Sequence, residues 1–152
     1  GNYWLTDDDY DFIYSKVPRA CVDIVIIKDN KMLLSFRKHP PNNNLWHIIG
    51  GRVQMFESIE NCAKRVIKKE INIDINVNAL KLKDYCQFLD EQMPKYKMHS
   101  ISHIFEYQLN DNELTNIEMN EKRKWFEYND IPNECIKQHY IILKKHYMAQ
   151  QP

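Results

Sequence analysis

Glycine is almost missing from this chain, whose 152 residues contain three: Gly1 and the adjacent pair Gly50-Gly51. In so glycine-poor a chain, an adjacent pair marks backbone that takes angles closed to other residues or approaches a ligand closely. Charge of either sign is not in excess, because Lys+Arg and Asp+Glu both number 21. That balance argues against general nucleic-acid binding, and no strongly acidic tail is present. No Cys-x-x-Cys pair occurs among the four scattered cysteines, so a zinc site or a disulfide frame is not expected. No apolar run approaches the ~18 residues of a membrane span. The acidic, polar start has the wrong character for a secretory signal, and internal repeats and low-complexity segments are lacking. The expectation is a soluble cytoplasmic protein whose length suits one ordinary domain.

What is present is a clear alternation of elements. Thr6 followed by Asp7, Asp8 and Asp9 predicts a capped helix start, with Tyr10, Ile13 and Tyr14 on one face and Pro18 beyond the end. Residues 21–28 and 31–37 predict two strands joined by a tight Asp29-Asn30 turn. Asp23 interrupts the first strand, where either a structural ion pair or a ligand-facing role would satisfy it. A Pro- and Asn-rich loop at 40–44 precedes a short strand over 45–49, in which His47, beside Trp46, reads as structural. Ser58 or Glu57 starts a helix to about Ile71, with Ile59, Cys62, Ala63, Val66 and Ile67 as its apolar stripe. Strands follow over 79–88 and 98–107, separated by a polar loop over 89–97, with His99 and His103 on one strand face. A turn at 110–112, a strand over 123–128 and a helix from Asp130 to Met148 complete the chain. Its stripe is Ile136, Tyr140, Leu143 and Tyr147. The order gives an α+β class with mixed α/β layers.

The glycine pair begins a spaced set of residues. Gly51, Glu57, Arg65, Ile67, Glu70 and Ile73 resemble, in register, the signature of the Nudix hydrolases: Gly-x5-Glu-x7-Arg-Glu-U-x-Glu-Glu-x-Gly-U, with U a bulky aliphatic. Val66 and Lys69 stand where the family has glutamates, and Asn72 where it has glycine. The resemblance covers essentially the whole chain. It implies the Nudix fold over residues 1–152 as one domain, a mixed β-sheet with a central helix and flanking helices. The degenerate box, with Gly50-Gly51-Arg52-Val53-Gln54, is similar to that of one branch, the GDP-mannose mannosyl hydrolases. For that branch the resemblance implies Mg2+-assisted attack of water at sugar C1 of a GDP-sugar, with release of GDP and free sugar. Carried over, Arg37 and Arg52 would meet the diphosphate, Asp23 the sugar or an arginine, and Gly50 and Glu70 the magnesium. Arg65 would order the loop around Glu57. A homodimer, with Trp4 in the contact, is implied as possible.

The chemistry suits these residue types. Cleaving a glycosyl bond to a nucleoside diphosphate needs cations for the departing phosphate and a base for the water. Arginine's planar fork meets two phosphate oxygens at once. One position departs from the branch: Met119 and Asn120 stand in the register of a Gln-His pair that supplies a metal ligand and the base. Asparagine takes no proton at neutral pH. Three readings stay open: a base at Glu118 or Glu121, a base at His99 or His103, or a catalytically impaired module that binds nucleotide sugars. Attack at phosphorus on another nucleoside diphosphate derivative is the alternative reaction.

Overall fold

The structure, a computed structural model, describes residues 4–38, 44–90 and 98–148. The predicted loops over 40–44 and 89–97 fall largely outside them. The first helix, α1 (Asp7–Tyr14), begins where Thr6 accepts a hydrogen bond from the Asp9 amide. Strand β1 (Arg19–Lys28) follows, then β2 (Lys31–Arg37). Asp29 and Asn30 between them have φ of 51° and 61°, the left-handed pair that a two-residue hairpin of the right twist demands. β1 begins two residues before its predicted start because it runs parallel to β6 (Met98–Gln108) from the Arg19–Ser100 pair onward. Sequence alone does not show a partner that arrives 80 residues later.

The remaining strands are β3 (Leu45–His47), β4 (Ile49–Arg52), β5 (Lys81–Asp90) and β7 (Arg123–Glu127). The sheet is mixed, in the order β3-β2-β1-β6-β5, with β4 also on β1 and β7 on β2. Alternate residues of β1 enter two cores. Val22, Ile24 and Ile26 pack with Phe105 against Ala63, Val66 and Ile67 of the central helix α2 (Ile59–Ile71). Val25 and Ile27 pack with Ile104 against Ile142 and Leu143 of α4 (Lys137–His146). Each such fully buried aliphatic contributes about 1.5–3 kcal/mol relative to exposure. The α+β expectation, with helices on both faces of a mixed sheet, is met.

Helix α2 starts at its predicted cap, with Ser58 Oγ accepting from the Asn61 amide at 3.0 Å. It ends at Asn72, whose φ of 59° is the left-handed conformation that asparagine tolerates almost as glycine does. The predicted turn at 110–112 is instead the start of a short helix, α3 (Asp111–Asn116). Asn110 and Glu113 form a reciprocal capping box, an Asn-x-x-Glu pattern that local sequence carries. The closing helix begins at Lys137 rather than Asp130. The Glu134 carbonyl and Ile136 amide are bonded to the backbone of Trp46, and this edge pairing keeps residues 134–136 out of the helix.

A bulge between Leu82 and Asp84 in β5 turns Asp84 toward α4. There its carboxylate meets His146 at 2.8 Å and Lys145 at 3.1 Å. The His146 hydrogen bond, ahead of the other contacts, pulls the Asp84 pKa down to about 2. A carboxyl group depressed in the folded state stabilises above its ordinary value and loses that contribution as pH falls through the folded one. The urea midpoint is therefore expected to drop between about pH 4 and pH 2, and Asp84→Asn to flatten that part of the profile; an unchanged slope would count against this contact.

Candidate functional site

The site lies where β1 changes partners. Its residues 26–28 pair with β2, whereas Cys21 to Ile24 pair with β4. β3 and β4 are one extended run broken at Ile48, the first part bonded to β2 and the second to β1. At that fork the backbone of Ile48 leaves both ladders, and its polar groups need other partners. His139 of α4, 3% exposed, supplies Nδ1 as acceptor for the Ile48 amide at 3.0 Å. His47 places its own Nδ1 2.9 Å from the Ile48 carbonyl oxygen.

The fork opens into a cleft of about 290 Å³. Arg19, Arg37, Arg52, Asp23, His47 and His139 line it, with Tyr10 and Phe88 as aromatic walls. Asp23, 8% exposed, accepts from Ser102 Oγ on Oδ2, and His139 Nε2 stands 3.3 Å from the same oxygen. At that separation no aligned hydrogen bond forms, and His139 Nε2 is a buried nitrogen without a hydrogen-bond partner. The other oxygen, Oδ1, sits so close to Gly50 that a Cβ there would collide with it, and would also lie 2.5 Å from the Val22 carbonyl. The glycine pair's first member thus permits the acid to occupy its place.

The arginines are held by different elements. Arg19 donates through Nε to Ser100 Oγ at 3.0 Å and through Nη1 to Tyr10 Oη. Arg52 donates to Tyr14 Oη at 3.3 Å. Both tyrosines belong to α1, so the acidic N-terminal helix forms part of the cleft's support. Neither Arg19, Ser102 nor His139 is marked as functional by sequence. Arg19 precedes the apolar run of β1, and the only available signal for His139 was its place on the apolar side of α4.

The box residues occupy a neighbouring place. Arg65 grips Glu57 through Nε to Oε2 at 2.7 Å and Nη2 to Oε1 at 2.9 Å, and Nη2 also donates to the Arg52 carbonyl at 2.9 Å. The Gln54 amide donates to Glu57 at 3.1 Å, closing the turn through Phe56, whose φ is 64°. The Arg65 hydrogen bonds hold the Glu57 pKa below its usual value. Of the residues singled out in the sequence, Asp23, Arg37, Gly50 and Arg52 share the cleft, whereas Arg65, Glu70 and Asn120 do not line it.

Candidate bases drawn from sequence also lie elsewhere. Asn120 Oδ1 accepts from the Lys122 amide at 2.8 Å, in the turn entering β7. Glu121 pairs with Lys38, and the Glu118 amide is bonded to Ile71. His99 and His103 share the strand face of Phe105, which packs toward α2; Ser100 and Ser102, one residue out of phase, face the cleft.

The side chains near α2 do not fit a magnesium ion as they stand. Glu70 Oε2 is bound by Arg123 Nη2 at 2.6 Å, Lys69 points to solvent and Val66 is buried beside Gly51. Among the described residues no group of three or more His, Cys, Asp or Glu is close enough to hold a metal. Arginine thus occupies the one helical acid that magnesium would need. Arg123→Gln is expected to raise Mn2+ affinity at Glu70 by roughly tenfold in calorimetry, the effect of removing one adjacent cation; equal affinities would show that the pair does not block the carboxylate.

Residues 17–146 match the NUDIX domain family, and the chain belongs to it. Among curated proteins it is similar to the low-salt glycan biosynthesis protein Agl8 of Haloferax volcanii, at 28% identity over 125 residues, covering 81% of this chain and 80% of that protein. It is also similar to the ADP-ribose pyrophosphatase of Methanocaldococcus jannaschii, at 31% identity over 131 residues, covering 86% and 73%. Its fold is similar to the MutT NUDIX hydrolase of Burkholderia pseudomallei, with a TM-score of 0.70 at 22% identity, over 86% of this chain and 99% of that one. The mixed sheet between helices is therefore the Nudix α/β/α fold. Helix α1 precedes the matched span, although it carries Tyr10 to the cleft and Tyr14 to Arg52.

Proposed function

We propose that the chain hydrolyses a nucleoside diphosphate sugar of the GDP-mannose type, with water attacking sugar C1 and GDP leaving. The observation that carries this reading is the gathering of Arg19, Arg37 and Arg52 around one cleft with a buried, oriented carboxylate at Asp23. Three guanidinium groups suit the two phosphates of a departing diphosphate, where developing charge is greatest in the transition state. Asp23 Oδ1, opposite Gly50, suits a sugar hydroxyl. Arg65 acts at a distance, by holding Glu57 and the Arg52 carbonyl. The lack of acids at Val66 and Lys69 favours carbon over phosphorus, because attack at phosphorus in this family relies on those helical glutamates. No step is routed through magnesium, since Glu70 is engaged by Arg123. Asn120 has no chemical part.

Similarity to a glycan biosynthesis protein is in keeping with a sugar substrate, and similarity to an ADP-ribose pyrophosphatase supports cleavage between phosphates as the second reading. Incubation with GDP-mannose, with and without magnesium, separates them. The first reading gives GDP and free mannose, the second GMP and mannose phosphate. Tight binding without product would mark a binding module. Arg52→Ala is expected to lower kcat by roughly 10²–10³-fold, in line with loss of one charge-stabilising group; an unchanged rate of sugar release would sink the proposal.

We take residues 1–152 as one such domain, working in the cytoplasm, where four free thiols are at home. No helix among the described residues is long and apolar enough to cross a membrane. Pairing of two copies through the N-terminal segment is supported by Trp4 and Phe12, which are 77% and 68% exposed.

A further inference from the structure

Two histidines meet at the broken strand, and the backbone of one residue sets their tautomers oppositely. The Ile48 amide is a donor, so His139 Nδ1 presents its lone pair there and its proton sits on Nε2, toward Asp23. His139 therefore has no basic nitrogen left for chemistry; its Nε2 only faces Asp23, at 3.3 Å. The Ile48 carbonyl is only an acceptor, so His47 Nδ1 carries the hydrogen and donates it at 2.9 Å. The lone pair of His47 is consequently on Nε2, on a ring that lines the cleft. No group among the described residues is bonded to that nitrogen. Among the described residues it is the one nitrogen base lining the cleft whose orientation is fixed and whose lone pair is not spent.

We propose that His47 Nε2 is the general base that takes a proton from the attacking water. The inference rests on reading the cleft as a hydrolase site, and it supplies what the Met119-Asn120 turn and the strand face of His99 and His103 do not. In the step, the water oxygen forms a bond to the sugar carbon while one water proton passes to Nε2. The bond from that carbon to the diphosphate oxygen breaks, and its electron pair leaves with the diphosphate among the arginines. The imidazolium then returns its proton to solvent. Nothing else is consumed.

Electrostatics favour the neutral ring. Burial, the largest influence, holds the His47 pKa below its ordinary value. The groups facing it are His139 from α4, Asp23 from β1 and Arg37 from β2. The hydrogen bond to the Ile48 carbonyl and Asp23 favour its charge, the second histidine and the arginine disfavour it, and burial outweighs the rest. The ring is then unprotonated near neutral pH, as a base must be.

Two measurements on the full chain test this. Nitrogen NMR of the wild-type protein is expected to show His47 as the neutral Nδ1–H tautomer at pH 7; an Nε2–H tautomer or a charged ring would overturn the proposal whatever the substrate. His47→Asn keeps an amide donor for the Ile48 carbonyl but has no basic nitrogen. With GDP-mannose it is expected to lose at least roughly 100-fold in kcat with KM changed less than about threefold, and to lose the acid limb of the kcat profile. Added imidazole is expected to restore part of the rate. A kcat above one tenth of wild type with the acid limb intact would overturn the base while leaving sugar release standing. Phosphorus-cleavage products whose formation still depends on His47 would remove the sugar-carbon reading and keep the base. A wild-type protein that releases neither product would remove both. Where His47→Asn fails to fold, the tautomer and titration of the wild-type ring decide.

Discussion

Gly50→Ala is expected to abolish turnover and to cost about 1–3 kcal/mol of stability, the range for an overpacked interior. The added Cβ would collide with Asp23 Oδ1 and approach the Val22 carbonyl to 2.5 Å. Neither neighbour can give way cheaply. Val22 and Asp23 belong to the central strand, paired with β4 on one edge and β6 on the other. The Asp23 carboxylate is held by Ser102 and faced by His139. Relief therefore requires either the acid to leave its position or β4 to peel from β1, and both dismantle the cleft. Gly51→Ala is the informative control. Its Cβ would meet only the Val66 side chain, at 2.9 Å, on the opposite face of the strand. Rates for the two variants and their urea midpoints distinguish the cases: similar losses in both would mean that the glycines serve the packing of β4 rather than the placement of Asp23.

Arg65→Ala is expected to lower stability by about 1.5–3 kcal/mol, the scale of charge-assisted hydrogen bonds, and kcat together with it. Four bonds disappear: two to Glu57, one to the Arg52 carbonyl and one, at 3.5 Å, to Cys62 Sγ. Glu57, with a side chain 14% exposed, would keep its charge with the Gln54 amide and Cys62 in place of a cation beside it. The loop from Val53 to Glu57 would then lose the anchor that fixes where Arg52 leaves the strand. The sign with pH follows from the direction of the shift. The Glu57 pKa is depressed in the folded state, so the pair stabilises above the ordinary carboxyl value and is lost as pH falls below it. The difference in urea midpoint between wild type and variant is expected to be full at pH 7 and to shrink in acid. Arg65→Lys is expected to recover only part of the loss, because one ammonium cannot reproduce the fork that spans both carboxylate oxygens. A variant of full stability but low kcat would instead place Arg65 in the chemistry.

Local signals in the chain were reliable wherever the controlling contacts are local. The Asp29-Asn30 hairpin, the Thr6 and Ser58 caps and the end of α2 at Asn72 depend on a few neighbouring residues, and each lies where its chemistry predicts. The capping box at Asn110 and Glu113 was equally readable, although a bare turn was expected there. Boundaries moved where a distant partner intervenes. β1 lengthened under β6, and the closing helix shortened because residues 134–136 bond to Trp46.

The spacing of Gly51, Glu57, Arg65 and Glu70 by itself determined the family, because a loop and helix that close on each other constrain residues only five to nineteen positions apart. Sequence also showed that the helix lacks the acids expected at Val66 and Lys69. Only the tertiary structure decided what surrounds them. It brought Arg123 onto Glu70 and placed Arg19 beside Arg37 and Arg52. It also set His139 and His47 on the two polar groups of Ile48. Those meetings span up to 91 residues and arise because β1 exchanges partners at a fork, a property of sheet pairing that no short stretch encodes.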